Sequence, residues 1–189
     1  MSDRPAEHLR AFLESLGLDD EFDPELADTP ERVTELFGEL FSEFDENPPE
    51  ISTFSSEYTG GQSDPVVIAA IPFESMCVHH LLPFFGTVDV AYIPGDTMVG
   101  FGSIGRVVDH FAGRPQVQER MIAGIADHLE QQLDPTGLLV RLRARQMCME
   151  MRGAKKKGEL ISVAGRRALS DGSLRSELLA QFRQTETSL

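Results

Sequence analysis

The chain has 189 residues and a formal net charge of −14. This length suits one domain with a substantial core, and the acidic charge disfavours a general binder of nucleic acid or of an anionic membrane, because its field repels both. Two cysteines are too few for a disulfide framework, no apolar run approaches the roughly 18 residues of a membrane span, and the charged N-terminus has no apolar signal region. We therefore predict a cytoplasmic protein with free thiols and with neither nucleic acid nor membrane as a partner.

The first third of the chain is predicted to be helical. Apolar residues recur three and four positions apart between Leu9 and Leu16, which predicts an amphipathic helix over 5–16. Thr29 is predicted to be the N-cap of a second helix, with Pro30 at its first position. The predicted divisions of the chain are a helical arm (1–45), a linker or mobile loop rich in proline and glycine (46–64), and the body of the fold (65–189), within a single domain overall.

Strand and helix patterns alternate along the body of the fold. Strands are predicted over 65–73, 83–93, 138–151 and 159–169, a strand completing a hairpin over 97–101, and helices over 104–111, 116–133 and 173–182. This order predicts an α+β fold in which an antiparallel sheet is backed by two long helices. The alternation over 138–151 places Gln146 and Cys148 on one face of one strand, about 7 Å apart.

Both cysteines lie in segments that suit metal binding. Cys77 and His80 have the spacing at which a tight turn aims two side chains at one point, and Cys148 is a third soft ligand. Two cysteines and one histidine are a set that a catalytic zinc uses while its fourth position remains open to water, so the pattern predicts a hydrolase. The alternatives are cysteines that pack as small hydrophobic residues, a disulfide, or a structural metal with His79 as the fourth ligand.

Three other features suggest a substrate site, and each has a purely structural alternative. His79 suits a general acid or base near neutral pH, or it is satisfied by a hydrogen bond in the core. The lysine run 155–157, with arginines nearby in sequence, suggests an anion site or a solvated basic loop. Glu119, near a predicted helix start, either interacts with the helix dipole or accepts the N1–H and amine of a guanine.

Three blocks of the sequence resemble the GTP cyclohydrolase I family in order and spacing. They are Cys77-Val-His-His-Leu-Leu-Pro-Phe, Gln116-Val-Gln-Glu-Arg and Met147-Cys-Met-Glu-Met-Arg-Gly, and Thr29-Pro-Glu-Arg-Val looks like the N-terminal signature of the same family. The resemblance covers nearly the whole chain. It implies a tunnelling fold whose subunits assemble into a homodecamer, with active sites at subunit interfaces.

The resemblance also implies a reaction and the residues that perform it. Zn²⁺ held by Cys77, His80 and Cys148 would activate the water that attacks C8 of the guanine of GTP. Ring opening, formate release and closure to 7,8-dihydroneopterin triphosphate would follow. The catalytic positions would be His79, as the proton donor to the imidazole nitrogen, and Gln146. The substrate-binding residues would be Glu119 at the guanine edge and Arg106 and Arg152 at the triphosphate. We further predict that Gln118, Ser103 and Lys155 bind the substrate.

The sequence departs from the family pattern at the later part of this chemistry. Gln146 stands where the family carries a second histidine, and glutamine does not exchange a proton near neutral pH. Gly102 and Ser103 stand where the family has a phosphate-binding serine and lysine. The predicted function is a GTP cyclohydrolase I-type zinc hydrolase. The alternatives are a divergent paralogue that stops at the ring-opened formamidopyrimidine or acts on another purine nucleotide, a related tunnelling-fold enzyme, and a non-catalytic zinc-stabilised assembly protein.

Overall fold

The structure is a computed structural model, which describes residues 4–41, 47–55 and 64–185. The chain divides into two compact units, Met1–Ser42 and Glu43–Leu189. Much of the segment predicted to be a linker lies outside the described residues, and the predicted domain boundaries stay a prediction. Within the described ranges, the structure contains no helix that is both long and apolar enough to cross a membrane.

The first unit consists of two helices, α1 (Arg4–Ser15) and α2 (Thr29–Leu40), with a 3₁₀ turn at Pro24–Leu26 between them. Arg10 links them, because its guanidinium donates to the Ala27 carbonyl at 3.0 Å and to the Glu31 carboxylate at 2.7 Å. The N-cap of α2 is Asp28 and not Thr29. The prediction was wrong by one residue because the Thr29 hydroxyl donates back to the Glu25 carbonyl instead of capping α2.

The second unit is built on a five-stranded sheet with the strand order β5-β2-β3-β6-β7. All neighbouring strands in it are antiparallel except β2 and β5. A separate two-stranded sheet pairs β1 with β4. The elements are β1 (Thr53–Ser55), β2 (Val66–Cys77), β3 (Pro83–Ile93), β4 (Thr97–Val99), α3 (Phe101–Ala112), β5 (Pro115–Gln116), α4 (Gln118–Leu133), β6 (Gly137–Gln146), α5 (Met147–Glu150), β7 (Glu159–Arg167) and α6 (Gly172–Thr185).

Alternate residues of the sheet pack into two hydrophobic clusters. Val88 and Val140 belong to the larger cluster, with side chains of α3 and α4 that include Val107 and Leu129. On the other face, Ala91 and Leu139 pack with Leu169 and with Leu178 and Phe182 of α6. These contacts confirm the predicted α+β fold, an antiparallel sheet backed by two long helices.

Two predictions about strands were wrong. The strand at 97–99 does not form a hairpin with β3, because both edges of β3 are already paired, with β2 and with β6; it pairs with β1 instead. That partner, Thr53–Ser55, lies inside the segment predicted to be a linker. The second wrong prediction bears on function, since the strand predicted over 138–151 ends at Gln146 and the chain turns there into the short helix α5.

A buried ion pair joins the centre of the sheet to α6. Asp89 of β3 and Arg141 of β6 face each other in register, and their side chains are 2% and 4% exposed, with an N–O distance of 2.7 Å. The other carboxylate oxygen of Asp89 accepts from the amide of Ala70 at 2.9 Å, a residue with φ +58° beside a register shift in β2. Arg141 also donates to the Phe182 carbonyl at 2.9 Å. Each partner is therefore neutralised and hydrogen-bonded, as a buried charge requires.

Candidate metal centre

Cys77 is the last residue of β2, and the chain reverses direction immediately after it. The carbonyl of Cys77 accepts from the amides of His80 (3.3 Å) and Leu81 (2.8 Å), and its amide donates to the Leu82 carbonyl. Leu81 has φ +49°, the left-handed conformation that closes the turn. Because the turn is this tight, the side chains at positions 77 and 80 lie on the same side of it.

Cys148 reaches the same place from the end of β6, two strands away from β2 in the sheet. Pairing of β3 with β6 sets Phe84 opposite Gln146, so the end of β6 lies beside the start of β3 and the turn before it. The helical turn α5 follows at once, closed by the Met151 amide on the Met147 carbonyl at 2.9 Å. The predicted position of Cys148, on one strand face with Gln146, was therefore wrong: Gln146 ends the strand and Cys148 lies in α5.

A contact that sequence periodicity could not reveal accounts for this turn. The Glu150 carboxylate accepts two hydrogen bonds from the Arg145 guanidinium, at 3.0 and 2.6 Å. Residues five apart meet in this way only if the chain bends between them. The Arg145 side chain therefore stabilises the helical turn that carries Cys148.

The three predicted metal ligands come together. One ligand atom from each of Cys77, His80 and Cys148 lies within 4.8 Å of the other two; Cys77 is buried, Cys148 is half-buried and His80 is exposed. The Sγ of Cys77 is 3.9 Å from the Nδ1 of His80. Two sulfurs and one imidazole nitrogen with one exposed side suit zinc with an open position.

The electrostatics of the two thiols also fit a cation. Burial raises the pKa of the Cys148 thiol, and the neighbouring Cys77 raises it further. Two adjacent thiolates repel each other, and a divalent cation between them would remove that repulsion and favour the thiolate forms. The donor set and its electrostatics therefore both suit Zn²⁺.

The two predicted catalytic residues are close to metal ligands in the chain, since His79 precedes His80 and Gln146 lies two positions before Cys148. His79 is exposed, with its Nδ1 3.8 Å from the Sγ of Cys77. Gln146, the residue before α5, is half-buried and donates from Nε2 to the Oε1 of Gln118 at 2.8 Å. Gln118 is itself almost completely buried.

The predicted substrate-binding residues are more dispersed. Arg152 contacts the Nε2 of His80, and the Lys155 amide donates to the Arg152 carbonyl at 3.2 Å, which folds the lysine run back toward the metal group. Glu119 is exposed in the first turn of α4. This turn follows Gln116, which pairs with Cys77. Arg152, Lys155 and Glu119 are thus each connected to a metal ligand through hydrogen bonds or a short stretch of chain.

Ser103 and Arg106 of α3 contact each other and not the metal group. Ser103 is 3% exposed, and its Oγ accepts from the Ser52 amide at 3.1 Å and from the Arg106 guanidinium at 3.0 Å. Arg106 is exposed. Across the parts of the chain that the structure describes, no hydrogen bond or ion pair joins either residue to Cys77, His80 or Cys148.

Sequence reasoning missed two contributors to this region. Ser75 donates from Oγ to the Ala112 carbonyl at 2.8 Å, which ties the end of β2 to the end of α3. Ser162 of β7 accepts from the Nε2 of Gln118 at 3.1 Å. Both contacts join residues far apart in sequence, and no local pattern signals them.

The fold and the site together define an α+β protein in which two cysteines and one histidine at one end of the sheet form a candidate metal site. Comparison with known proteins then identifies the group to which it belongs. The GTP cyclohydrolase I family model matches residues 5–183, and the chain belongs to that family of hydrolases. The predicted family and enzyme class are confirmed.

Individual relatives cover most of the chain. The GTP cyclohydrolase 1 of Brevibacillus brevis is 39% identical over 184 residues, which is 96% of this chain and 97% of that relative. Those of Bacillus cytotoxicus and Streptococcus mutans are each 41% identical, covering 91% and 90% of this chain and 91% and 89% of the relatives.

Solved structures give weaker likenesses. A dihydroneopterin aldolase from Vibrio cholerae has a TM-score of 0.41 at 13% identity, over 56% of this chain and 99% of that chain. The archaeosine synthase QueF-Like in its apo form has a TM-score of 0.39 at 15% identity, over 58% of this chain and 95% of that chain. TM-scores this low do not by themselves define a shared fold.

Proposed function

We propose that this protein is a zinc-dependent GTP cyclohydrolase that opens the guanine imidazole ring of GTP at C8, releases formate and forms 7,8-dihydroneopterin triphosphate. The observation that carries this proposal is the convergence of Cys77, His80 and Cys148 within 4.8 Å in a chain of this family. The three side chains would hold the ion. When bound, zinc supplies a Lewis acid and a water of lowered pKa.

His79 is the residue that we assign to proton transfer. Its imidazole is exposed and lies next to the ligand group, 3.8 Å from the Sγ of Cys77. An imidazole has one nitrogen that can donate a proton and one that can accept it, so His79 can protonate the guanine imidazole nitrogen and later take a proton back. Protonation of that nitrogen makes C8 electrophilic, which is what ring opening requires.

Glu119 is the residue that we assign to guanine recognition. Its exposed carboxylate forms no hydrogen bond or ion pair with any other residue in the described ranges. A carboxylate with two free oxygens accepts the N1–H and the exocyclic amine of guanine together. Guanine would therefore be distinguished from adenine, which presents no such pair of donors.

Phosphate binding is assigned to Arg152, Lys155 and Arg106. Arg152 and Lys155 follow directly after the turn that carries Cys148, and all three cations are exposed. Arginine pairs with phosphate oxygens through parallel N–H donors, and lysine adds a point charge. Ser103 is the weakest member of the predicted set, since its hydroxyl already accepts two hydrogen bonds.

The test is incubation of the zinc-loaded protein with GTP, with mass analysis of the products and a formate assay. Dihydroneopterin triphosphate together with formate is the expected result. Absence of any purine ring opening by the zinc-loaded protein, with one zinc per chain measured in the same sample, would overturn the proposal and favour a non-catalytic assembly protein.

A second function is favoured by one observation. Gln146 occupies the position of a family histidine and hydrogen-bonds to Gln118; it offers no proton for the steps after ring opening. The reaction of this divergent member would then stop at the formamidopyrimidine. A ring-opened, hydrated nucleotide accumulating without formate is the product that distinguishes this function from the first.

We also propose that the protein acts as a homo-oligomer, a decamer as the family resemblance implies. Support comes from the outer edge strand β7, which exposes Leu160 (39%), Ile161 (54%) and Val163 (36%). An apolar edge strand invites pairing with another strand. Native mass spectrometry should give a mass of about ten chains, and a monomer at working concentration would refute the assembly.

A further inference from the structure

The side chain of Gln118 is a buried polar connection between three elements. It is 2% exposed at the start of α4. Its Nε2 lies 3.3 Å from the Leu142 carbonyl of β6, 3.0 Å from the Leu160 carbonyl of β7 and 3.1 Å from the Oγ of Ser162. A buried amide with this many partners is fixed in position, because a move of the side chain away from any partner would break a hydrogen bond.

These partners also determine which way the amide of Gln118 faces. Backbone carbonyls only accept hydrogen bonds, so the atom between Leu142 and Leu160 must be the nitrogen. The Oε1 of Gln118 consequently points toward Gln146 and can only accept. The partner atom on Gln146, at 2.8 Å, must then be its Nε2.

The orientation of Gln146 follows in turn. With Nε2 bound to Gln118, the Oε1 of Gln146 is turned away from Gln118, and it accepts no hydrogen bond from any residue in the described part of the chain. Gln146 is half-exposed and immediately precedes the turn that carries Cys148. The orientation of one buried side chain thus decides that residue 146 offers an acceptor oxygen to solvent.

We propose that Gln118 is a positioning residue that acts through Gln146. It holds the amide of Gln146 so that Oε1 is presented as a neutral acceptor beside the Cys77–His80–Cys148 group, for a water or a substrate hydroxyl. Both N–H groups of Gln118 are engaged within the protein, so it does not donate to substrate, which differs from the substrate-binding role predicted from the sequence. This inference rests on the proposed function for its kinetic test.

The test compares Gln118→Leu, Gln146→Leu and the double variant, all zinc-loaded, with GTP as substrate. Gln131→Leu is the matched control, since it makes the same change at an exposed position of α4. Loss of one oriented hydrogen bond predicts that kcat falls about three- to tenfold in Gln118→Leu, with KM and zinc content unchanged. The double variant should be no slower than Gln146→Leu alone, because Gln118 acts only through Gln146.

Kinetic results of the opposite kind would overturn the proposal. A raised KM with unchanged kcat would mean that Gln118 contacts the substrate directly, and independent losses that multiply in the double variant would mean that it does not act through Gln146. If Gln118→Leu does not fold, Gln146→Glu replaces it, since a carboxylate cannot donate to the Oε1 of Gln118. It should lose as much kcat as Gln146→Leu, and wild-type kcat would overturn the proposal.

A crystallographic measurement separates this inference from the proposed function. If the wild-type protein opens no purine ring, the proposed function fails, and positioning is still tested by crystal structures of the wild-type and Gln118→Leu proteins. The Gln146 side chain should be ordered in the first and should change rotamer or lose density in the second. An unchanged Gln146 in both structures would refute a positioning role for Gln118.

Discussion

The Asp89–Arg141 pair allows a quantitative prediction about stability. Asp89→Asn keeps the size of the side chain but removes its charge, and so takes the carboxylate away from the Arg141 guanidinium, which stays charged and 4% exposed. The hydrogen bond to the Phe182 carbonyl at 2.9 Å remains, but a carbonyl dipole does not replace a full negative charge. The substitution therefore tests the cost of removing one partner from a buried ion pair.

The magnitude follows from the geometry. Opposite unit charges about 4 Å apart interact by about 4 kcal/mol at an effective dielectric constant of about 20. Breaking a buried pair by removing one partner typically costs about 3–5 kcal/mol, and this pair is well buried with a 2.7 Å contact. We expect the free energy of unfolding to fall by about 3–5 kcal/mol, a large part of the stability of an ordinary domain.

The assay is urea denaturation of zinc-loaded protein at one fixed protein concentration, because metal binding and subunit association both shift apparent stability. Glu159→Gln is the matched control: it removes the carboxylate of the Arg143–Glu159 pair, where the distance is 3.4 Å and the glutamate is 45% exposed. That change should cost at most about 1 kcal/mol. Equal effects of the two substitutions would refute the reasoning.

Three further predictions concern the site. Cys148→Ala should lose bound zinc, measured as metal per chain by atomic absorption, since only two ligands remain; Met149→Leu should retain the metal, and a zinc-replete Cys148→Ala would contradict the ligand assignment. If the wild-type protein accumulates the ring-opened formamidopyrimidine, Gln146→His should increase the share of product that proceeds to formate release, because an imidazole can both donate and accept a proton; an unchanged product ratio would exclude position 146 as the cause of the accumulation. Arg145 lowers the pKa of Glu150 through a hydrogen bond, so this contribution to stability is complete above the unfolded-state pKa of about 4.3 and is lost as the pH falls through the lower folded value. Glu150→Gln should therefore weaken the acid dependence of the urea midpoint, whereas an identical pH profile would contradict a role for this pair.

The parts of the fold and site that the sequence predicted correctly depend on local patterns. The strand at 83–93 was predicted with the bounds found for β3, because its apolar residues end at a Pro-Gly-Asp turn. Cys77 and His80 meet because a single tight turn connects them. In both cases the determining residues are neighbours in the chain.

The incorrect predictions depend on contacts between residues that no local sequence pattern connects. Alternation continues formally past Gln146, but the chain turns because the Glu150 carboxylate closes on Arg145. The strand at 97–99 has the composition of a hairpin partner, yet its pairing is decided by which edges are free. The contact between Gln118 and Gln146 joins positions 28 residues apart, and a period of two or of 3.6 residues carries no information about it.

The register of β3 and β6 places the stabilising Asp89–Arg141 ion pair and the metal group at different positions along the sheet. The Asp89–Arg141 pair and the Phe84–Gln146 pair belong to one β3–β6 ladder, and five positions separate them along each strand. At about 3.4 Å per residue that is roughly 17 Å, which places the ion pair well inside the sheet and the metal group at its end. Because effects of distant, unconnected sites are usually independent, the folded Asp89→Asn protein should bind zinc with unchanged affinity in a chelator competition. Weakened zinc binding in that variant would show that the register of β3 and β6 transmits strain to the turn and to α5.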